Sequence, residues 1–139
     1  MSVSLGLRLQ VVERANGRCE YCRLSQASQE AAFHIDHIVP ISAKGGTTFA
    51  NLALACVSCS LRKGAKQTGF DPLTKQQASL FHPQRDLWQE HFRWDAERIV
   101  GLTPTGRATE AALSMNRPLA LAIRTEEMLM GRHPPAIVP

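Results

Sequence analysis

The chain has 139 residues, of which 44% are hydrophobic and 20% charged, and it carries a net charge of +4 with an isoelectric point near 9.2. These values are typical of one compact globular domain with a modest core. The absence of any run of about 18 apolar residues excludes a membrane-spanning segment. The first residues also lack the long apolar stretch of a secretory signal, so a cytoplasmic location is the default expectation.

A helix is predicted near the N-terminus, over the sequence LRLQVVERANGR. Leu7, Val11 and Val12 recur there at helical spacing, and Gly17 is typical of a helix end. We expect this helix to pack over the cysteine pair that follows it.

Four cysteines form two pairs with the same C-x-x-C spacing: Cys19 and Cys22 in CEYC, and Cys56 and Cys59 in CVSC. This spacing lets two thiolates bind one ion from a tight turn, and two such turns supply the four ligands that zinc prefers. A redox motif would need a thioredoxin-like βαβ context, which the sequence lacks. Disulfides are rare in cytoplasmic chains, which leaves four unrelated buried thiols as the other alternative to a metal site. We predict a structural zinc site, because four cysteines leave no open position for a substrate.

Between the two pairs, the sequence predicts a strand, a loop, a second strand and a helix. FHIDHIVPI reads as a strand that Pro40 ends, SAKGGTTFAN as a glycine-containing loop, and LALAC as a short buried strand. CVSCSLRKGAK is predicted to be helical up to Gly64, with Ser60 and Lys63 on one face.

The first of these strands contains three polar residues that an ordinary core strand would not carry: His34, Asp36 and His37. An unpaired aspartate is costly to bury, so these residues either carry chemistry or mark a polar edge. His34 lies on the same strand face as Asp36. It either orients Asp36 or helps to bind the ion, or else it is satisfied by a backbone carbonyl. Because adjacent strand residues point to opposite faces, Asp36 and His37 can share a site only if the strand twists or bulges.

The positive charge is concentrated in the first half of the chain. Residues 67–139 hold eight basic and eight acidic residues, so the whole excess lies in residues 1–66, much of it in Arg62, Lys63 and Lys66. A local basic patch favours a polyanionic partner such as nucleic acid. A solvated helix end explains these three residues equally well.

The second half of the chain predicts further small elements. After a turn, TKQQASLF precedes a short helix that Pro83 opens and that carries Trp88, and HFRW and RIVGL are predicted to form a hairpin. TPTGRATEAALSM is predicted to be a helix with Pro104 in its first turn, and Pro118 opens a last helix that Gly131 ends. The expected core residues of this region are Leu113, Met115, Leu119, Leu121 and Met128.

Three motifs in fixed order resemble the HNH endonucleases of the ββα-metal type: the Asp–His of FHIDHIVP, the Asn–Leu of FANLALAC, and the C-x-x-C-x-x-x-K-G of CVSCSLRKG. The resemblance covers roughly residues 14–66, and the remainder is similar to the tail of small stand-alone bacterial HNH proteins. It implies an α+β fold with a treble-clef-like ββα-metal core, clamped by the four-cysteine zinc site, with additional helices and a short hairpin. We expect a single domain over residues 1–139, with the motif core at 14–66 and an extension at 67–134.

The resemblance also implies a role for each matching residue. His37 matches the general base that takes a proton from water, a task suited to an imidazole, which ionises near neutral pH. Asp36 matches a ligand of a catalytic divalent ion, expected to be Mg²⁺ or Mn²⁺, or Ni²⁺ as a tighter-binding alternative. Asn51 matches an asparagine that braces the loop through backbone hydrogen bonds, and Lys63 matches a lysine that contacts phosphate.

One position departs from the family pattern. Ser60 stands where the family usually has Asn or His to complete the catalytic metal site, and a hydroxyl is a weaker and shorter ligand. We therefore expect Ser60 to hold the ion loosely or through a water molecule.

The expected function is metal-dependent hydrolysis of DNA phosphodiester bonds, on double-stranded DNA with little sequence preference, with Arg62, Lys63 and Lys66 as contacts. The main alternative is a non-catalytic zinc module that binds nucleic acid through a degenerate site. A purely structural interaction domain is a further alternative, although it gives Asp36 and His37 no role.

Overall fold

Three separate antiparallel hairpins alternate with helices in the fold of residues 3–136, which a computed structural model of the protein describes. In the N-terminal half the elements are α1 (Leu5–Arg14), β1 (His34–His37), β2 (Leu52–Ala55) and α2 (Val57–Lys63). In the C-terminal half they are β3 (Thr68–Asp71), β4 (Gln76–Ser79), α3 (Trp88–His91), β5 (Phe92–Asp95), β6 (Arg98–Gly101), α4 (Pro104–Ala112) and α5 (Pro118–Leu129). Helices combined with small sheets make this an α+β fold, as predicted.

The N-terminal half follows the predicted order of helix, strand, strand and helix. β1 pairs with β2 in an antiparallel register that sets His34 opposite Ala55 and His37 opposite Leu52. β2 is buried along its whole length, whereas β1 is exposed at His34 and half-buried over its other three residues. The outer hairpin strand therefore presents its polar side chains at the edge of the core.

An aromatic cluster joins the C-terminal half to the first cysteine pair. The rings of Trp88 and Phe92 lie 5.0 Å apart, and the rings of Phe81 and Phe92 meet edge to face at 5.3 Å. The indole Nε1 of Trp88 donates a 2.8 Å hydrogen bond to the carbonyl of Tyr21, inside the CEYC turn. Residues of both halves consequently belong to one hydrophobic cluster.

The hairpin of β3 and β4 was not predicted from the sequence, and the helix expected from Pro83 begins only at Trp88. Both strands are mostly exposed and polar, so they lack the apolar alternation that identifies a strand. A two-pronged ion pair holds the hairpin on α4, because Nε and Nη2 of Arg107 each lie 3.0 Å from a carboxylate oxygen of Asp71. The Arg107 guanidinium holds the pKa of Asp71 well below its usual range.

The last two helices begin and end close to the predicted residues. In α4, Gly106 packs so closely on the end of α3 that an added Cβ would lie 2.0 Å from the carbonyl oxygen of His91, so only glycine fits. The core prediction for α5 was wrong in part, because Leu119 and Met128 are 66% and 40% exposed, whereas Arg124 is buried.

No helix within residues 3–136 has the length and apolar character needed to cross a membrane.

Candidate active site and zinc centre

The four cysteines converge on one buried point. Their sulfur atoms all lie within 4.8 Å of one another, and every one of the four residues is at most 2% exposed. The sulfurs of Cys22 and Cys56 are 3.7 Å apart. A tetrahedral zinc ion with Zn–S bonds of about 2.3 Å separates its sulfurs by about 3.8 Å. The donor set and its spacing therefore fit a zinc ion held by all four thiolates.

Each cysteine pair forms a tight turn of the same kind. The backbone N–H of Cys22 donates to the sulfur of Cys19 over 3.5 Å, and the N–H of Cys59 donates to the sulfur of Cys56 over 3.4 Å. Cys56 is also the N-cap residue of α2. A zinc ion at this point would thus fix the start of α2 against the turn that follows α1.

Two arginines near the C-terminus cover the zinc centre, and sequence reasoning missed both. Nη2 of Arg117 lies 3.5 Å from the sulfur of Cys56, and Nη2 of Arg124 donates to the Cys22 carbonyl over 3.3 Å. Burial acts to lower the pKa of Arg117, but the charges of Cys22 and the neighbouring cysteines outweigh it and raise the pKa. Because four thiolates and one Zn²⁺ leave two negative charges, these guanidinium groups offset charge at the centre.

Beside the zinc centre, three of the predicted catalytic residues line one shallow cleft of about 310 Å³: Asp36, His37 and Ser60. Asp36 and His37 come from the end of β1, and Ser60 follows Cys59 on α2. No bulge is needed to bring the two strand residues to the cleft, since the pairing of β1 with β2 is continuous from His34 to His37. The strand ends at His37, where it meets the rim of the cleft.

The loop between β1 and β2 supplies a hydrogen-bond partner for His37. Nε2 of His37 lies 2.8 Å from the hydroxyl oxygen of Thr47. If Nε2 carries the proton that Thr47 accepts, the lone pair of Nδ1 is left to accept a proton from water. Thr47 gave no signal in the sequence, because a threonine in a glycine-containing loop has no distinguishing pattern.

Asn51 closes the same loop, in the bracing position expected from the sequence. Its Oδ1 accepts from the N–H of Val39 over 2.9 Å, and its Nδ2 donates to the carbonyls of Val39 and Gly46 over 3.0 and 2.9 Å. At Gly45 an added Cβ would lie 1.8 Å from the Val39 carbonyl oxygen, so the close approach requires glycine. The rigid loop fixes where β1 ends and hence where His37 stands.

Ser60 is already engaged by a second histidine. Its hydroxyl oxygen lies 2.7 Å from Nδ1 of His34, which is exposed, while Ser60 is half-buried. The partner of His34 is thus a side-chain hydroxyl, and not the backbone carbonyl considered from the sequence. This pair connects the exposed end of β1 to the helix that carries the expected metal ligand.

The three basic residues predicted to bind nucleic acid differ in their exposure. Lys63 is 2% exposed, and its Nζ donates to the carbonyl of Ile38 over 2.8 Å. Burial lowers the pKa of Lys63, whereas the charge of Asp36 acts to raise it. The side chain of Lys63 therefore braces the end of β1 from inside, and its expected contact with phosphate stays a prediction. Arg62 and Lys66 are exposed, but Arg62 turns toward Ser58 and lines a separate groove beside Arg117.

A hairpin and a helix joined at four converging cysteines, with a polar cleft beside them, define a ββα unit with a candidate zinc site. Residues 19–66 match the family model described as HNH endonuclease, from the first cysteine to just beyond α2. This match confirms, for that segment, the resemblance predicted from the sequence. No curated protein and no solved structure matches the chain.

Proposed function

We propose that the protein is a metal-dependent endonuclease that hydrolyses phosphodiester bonds in DNA. The observation that carries the proposal is the shared cleft of Asp36, His37 and Ser60, which lies within the segment that matches the HNH endonucleases. An acidic residue and a histidine beside a helix suit phosphoryl chemistry better than a plain zinc clip.

In the proposed reaction, His37 acts as the general base. A water molecule attacks phosphorus while its proton passes to the His37 imidazole, held in place by Thr47. The bond from phosphorus to the 3′ oxygen breaks, and that oxygen takes up a proton. The products are a 5′-phosphate and a 3′-hydroxyl.

Asp36 and Ser60 are proposed to hold the catalytic divalent ion. A carboxylate and a hydroxyl are oxygen donors that suit Mg²⁺ or Mn²⁺, and the imidazole of His34 beside Ser60 adds a donor that suits Ni²⁺. When bound, the ion polarises the phosphate and stabilises charge on the departing oxygen.

One observation favours the alternative of a non-catalytic module that binds nucleic acid. The residue that should complete the metal site is a serine whose hydroxyl is already bonded to His34. Such a module would bind DNA without cutting it under any metal condition.

The direct test is cleavage of supercoiled plasmid DNA in the presence of Mg²⁺, Mn²⁺, Co²⁺ or Ni²⁺. We expect metal-dependent conversion to nicked or linear plasmid, and loss of this conversion in Asp36→Asn, because the amide removes the charge that binds the ion. DNA binding without cleavage by the wild-type protein in all four ions would instead support the non-catalytic module.

Ser60 sets the expected metal requirement. Because a hydroxyl is a weak ligand, we expect activity to need millimolar Mg²⁺ or to prefer Mn²⁺ or Ni²⁺. Ser60→Asn should raise the cleavage rate at limiting metal, since it supplies an amide oxygen, whereas Ser60→Ala should lower it. Cleavage rate measured against metal concentration for the three proteins checks this expectation.

Calorimetric measurement of Mn²⁺ binding to the same proteins separates metal affinity from the rate of cleavage. The same measurement on His34→Ala tests whether His34 binds the ion. If Ser60→Asn cuts no better at any concentration, or Ser60→Ala equals the wild type, Ser60 does not bind the ion. His34 then becomes the next candidate ligand. Asn51 is a poorer candidate, because both ends of its amide are already bonded to the loop backbone.

A further inference from the structure

A second pocket, of about 270 Å³, lies next to the end of β1, where Ile38 and Val39 line it. One wall comes from the segment that matches the HNH endonucleases and includes Ile38, Lys63 and Lys66. The opposite wall comes from the C-terminal extension and includes His82, Arg85 and Asp86. We call this site the basic pocket. It is formed only where the two parts of the chain meet.

The charges that line the basic pocket favour an anion. Lys63, Lys66 and Arg85 are cationic, and Asp86 is the only acidic residue among the lining side chains. One carboxylate oxygen of Asp86 already accepts from the backbone N–H of His82 over 2.9 Å. Arg85 and Lys66 are exposed, so both can move to meet a ligand at the mouth of the pocket.

The depth of the basic pocket supplies further donors. Lys63 is buried there, and of its three N–H groups the Ile38 carbonyl takes one. Nδ1 of His82 accepts from the backbone N–H of Gln84 over 3.2 Å, so in the neutral ring Nε2 carries the proton and is a donor. Burial, with Arg85 nearby, lowers the pKa of His82, which favours this neutral form. The pocket therefore offers donors of both charged and neutral kinds.

The basic pocket and the catalytic cleft are close neighbours. Ile38, which lines the pocket, directly follows His37 of the cleft. On α2, Ser60 lines the cleft, whereas Lys63 lines the pocket. A nucleic-acid strand with one phosphate in the cleft can therefore reach the pocket with a phosphate further along the chain.

We propose that the basic pocket binds a phosphate group of the nucleic-acid substrate next to the bond that is cut, through Lys66, Arg85 and His82. This inference rests on the proposed function and adds to it a role for the C-terminal extension. The extension, which lies outside the family match, would thereby position the substrate strand.

The test measures binding of a short DNA duplex to the full chain in the His37→Ala background, without added divalent ion, across a range of salt concentrations. Arg85→Gln and Lys66→Gln should each weaken binding and reduce the log–log salt slope by about 1, because each removes one phosphate contact. Arg98→Gln is the matched control, since Arg98 is exposed on β6 and lines neither site. Circular dichroism verifies that each variant is folded.

A second readout uses the titration of His82. In the wild-type protein, inorganic phosphate should raise the pKa of His82, measured by NMR, because a bound anion stabilises the imidazolium; Arg85→Gln should diminish this shift. Duplexes with and without 5′-phosphate ends separate backbone phosphodiesters from terminal phosphates as the source of the ligand.

The inference is overturned if Arg85→Gln and Lys66→Gln keep the salt slope of the His37→Ala parent protein. It is also overturned if they weaken DNA binding no more than Arg98→Gln does. If the wild-type protein still cuts plasmid in that case, the proposed function stands and only the basic pocket is wrong. A wild-type protein that neither binds nor cuts DNA would instead remove the proposed function itself.

Discussion

Replacing His37 with alanine is expected to lower the rate of DNA cleavage by about 10²–10⁴-fold, the usual effect of losing a general base. The fold should persist, because His37 is half-buried and its side chain bonds to the hydroxyl of Thr47 in a surface loop. DNA affinity should change little, since the proposed phosphate contacts lie elsewhere. Cleavage rate at saturating metal, together with DNA affinity and circular dichroism, checks all three expectations.

Two companion variants sharpen this prediction. Thr47→Val should reduce the rate less than His37→Ala, because it removes the group that orients the imidazole and leaves the base in place. His133→Ala removes a histidine of the C-terminal segment and should leave the rate of DNA cleavage unchanged. Added imidazole should partly restore cleavage in His37→Ala. A His37→Ala protein that cuts DNA as fast as the wild type would show that another group is the base.

The parts of the site that follow local rules were predictable from the sequence. The C-x-x-C spacing dictates a tight turn with two converging thiols, so two such turns predicted one zinc centre, and the structure brings all four sulfurs together. Asn51 was expected to brace the loop by resemblance, and its amide does bridge that loop. For the cysteines the residue type and its spacing determine the geometry, whereas the role of Asn51 was implied by the resemblance.

The rest depended on contacts between residues far apart in the sequence. Arg124 lies 102 positions from Cys22, whose carbonyl it binds, and no local pattern connects them. On a helix with exposed Leu119, a buried arginine also reverses the usual hydrophobic pattern. The burial of Lys63 could not be foreseen for a related reason: a lysine at a helix end is usually solvated, but here Ile38 offers a carbonyl within reach of its Nζ.

Removal of zinc is the second change with a large expected effect. The purified protein should hold one tightly bound zinc ion per chain, and chelation should unfold the N-terminal half. A structural zinc site contributes about 10–16 kcal/mol of binding free energy in small zinc domains, which is comparable to the roughly 5–15 kcal/mol that stabilises a typical domain. The loss should also release α5, because Arg117 and Arg124 are bonded to the Cys56 and Cys22 regions.

The site variant for this prediction is Cys59→Ser, with Ser58→Ala as its matched control in the same turn of α2. Cys59→Ser should lose zinc and the circular dichroism of the folded protein, whereas Ser58→Ala should keep both, because Ser58 accepts only an exposed hydrogen bond from Arg62. Hydrogen exchange during chelation should show β1, β2, α2 and α5 losing protection together, before β3 and α4, which Asp71 and Arg107 hold. Folded wild-type protein without zinc by elemental analysis would contradict the assignment of the four cysteines.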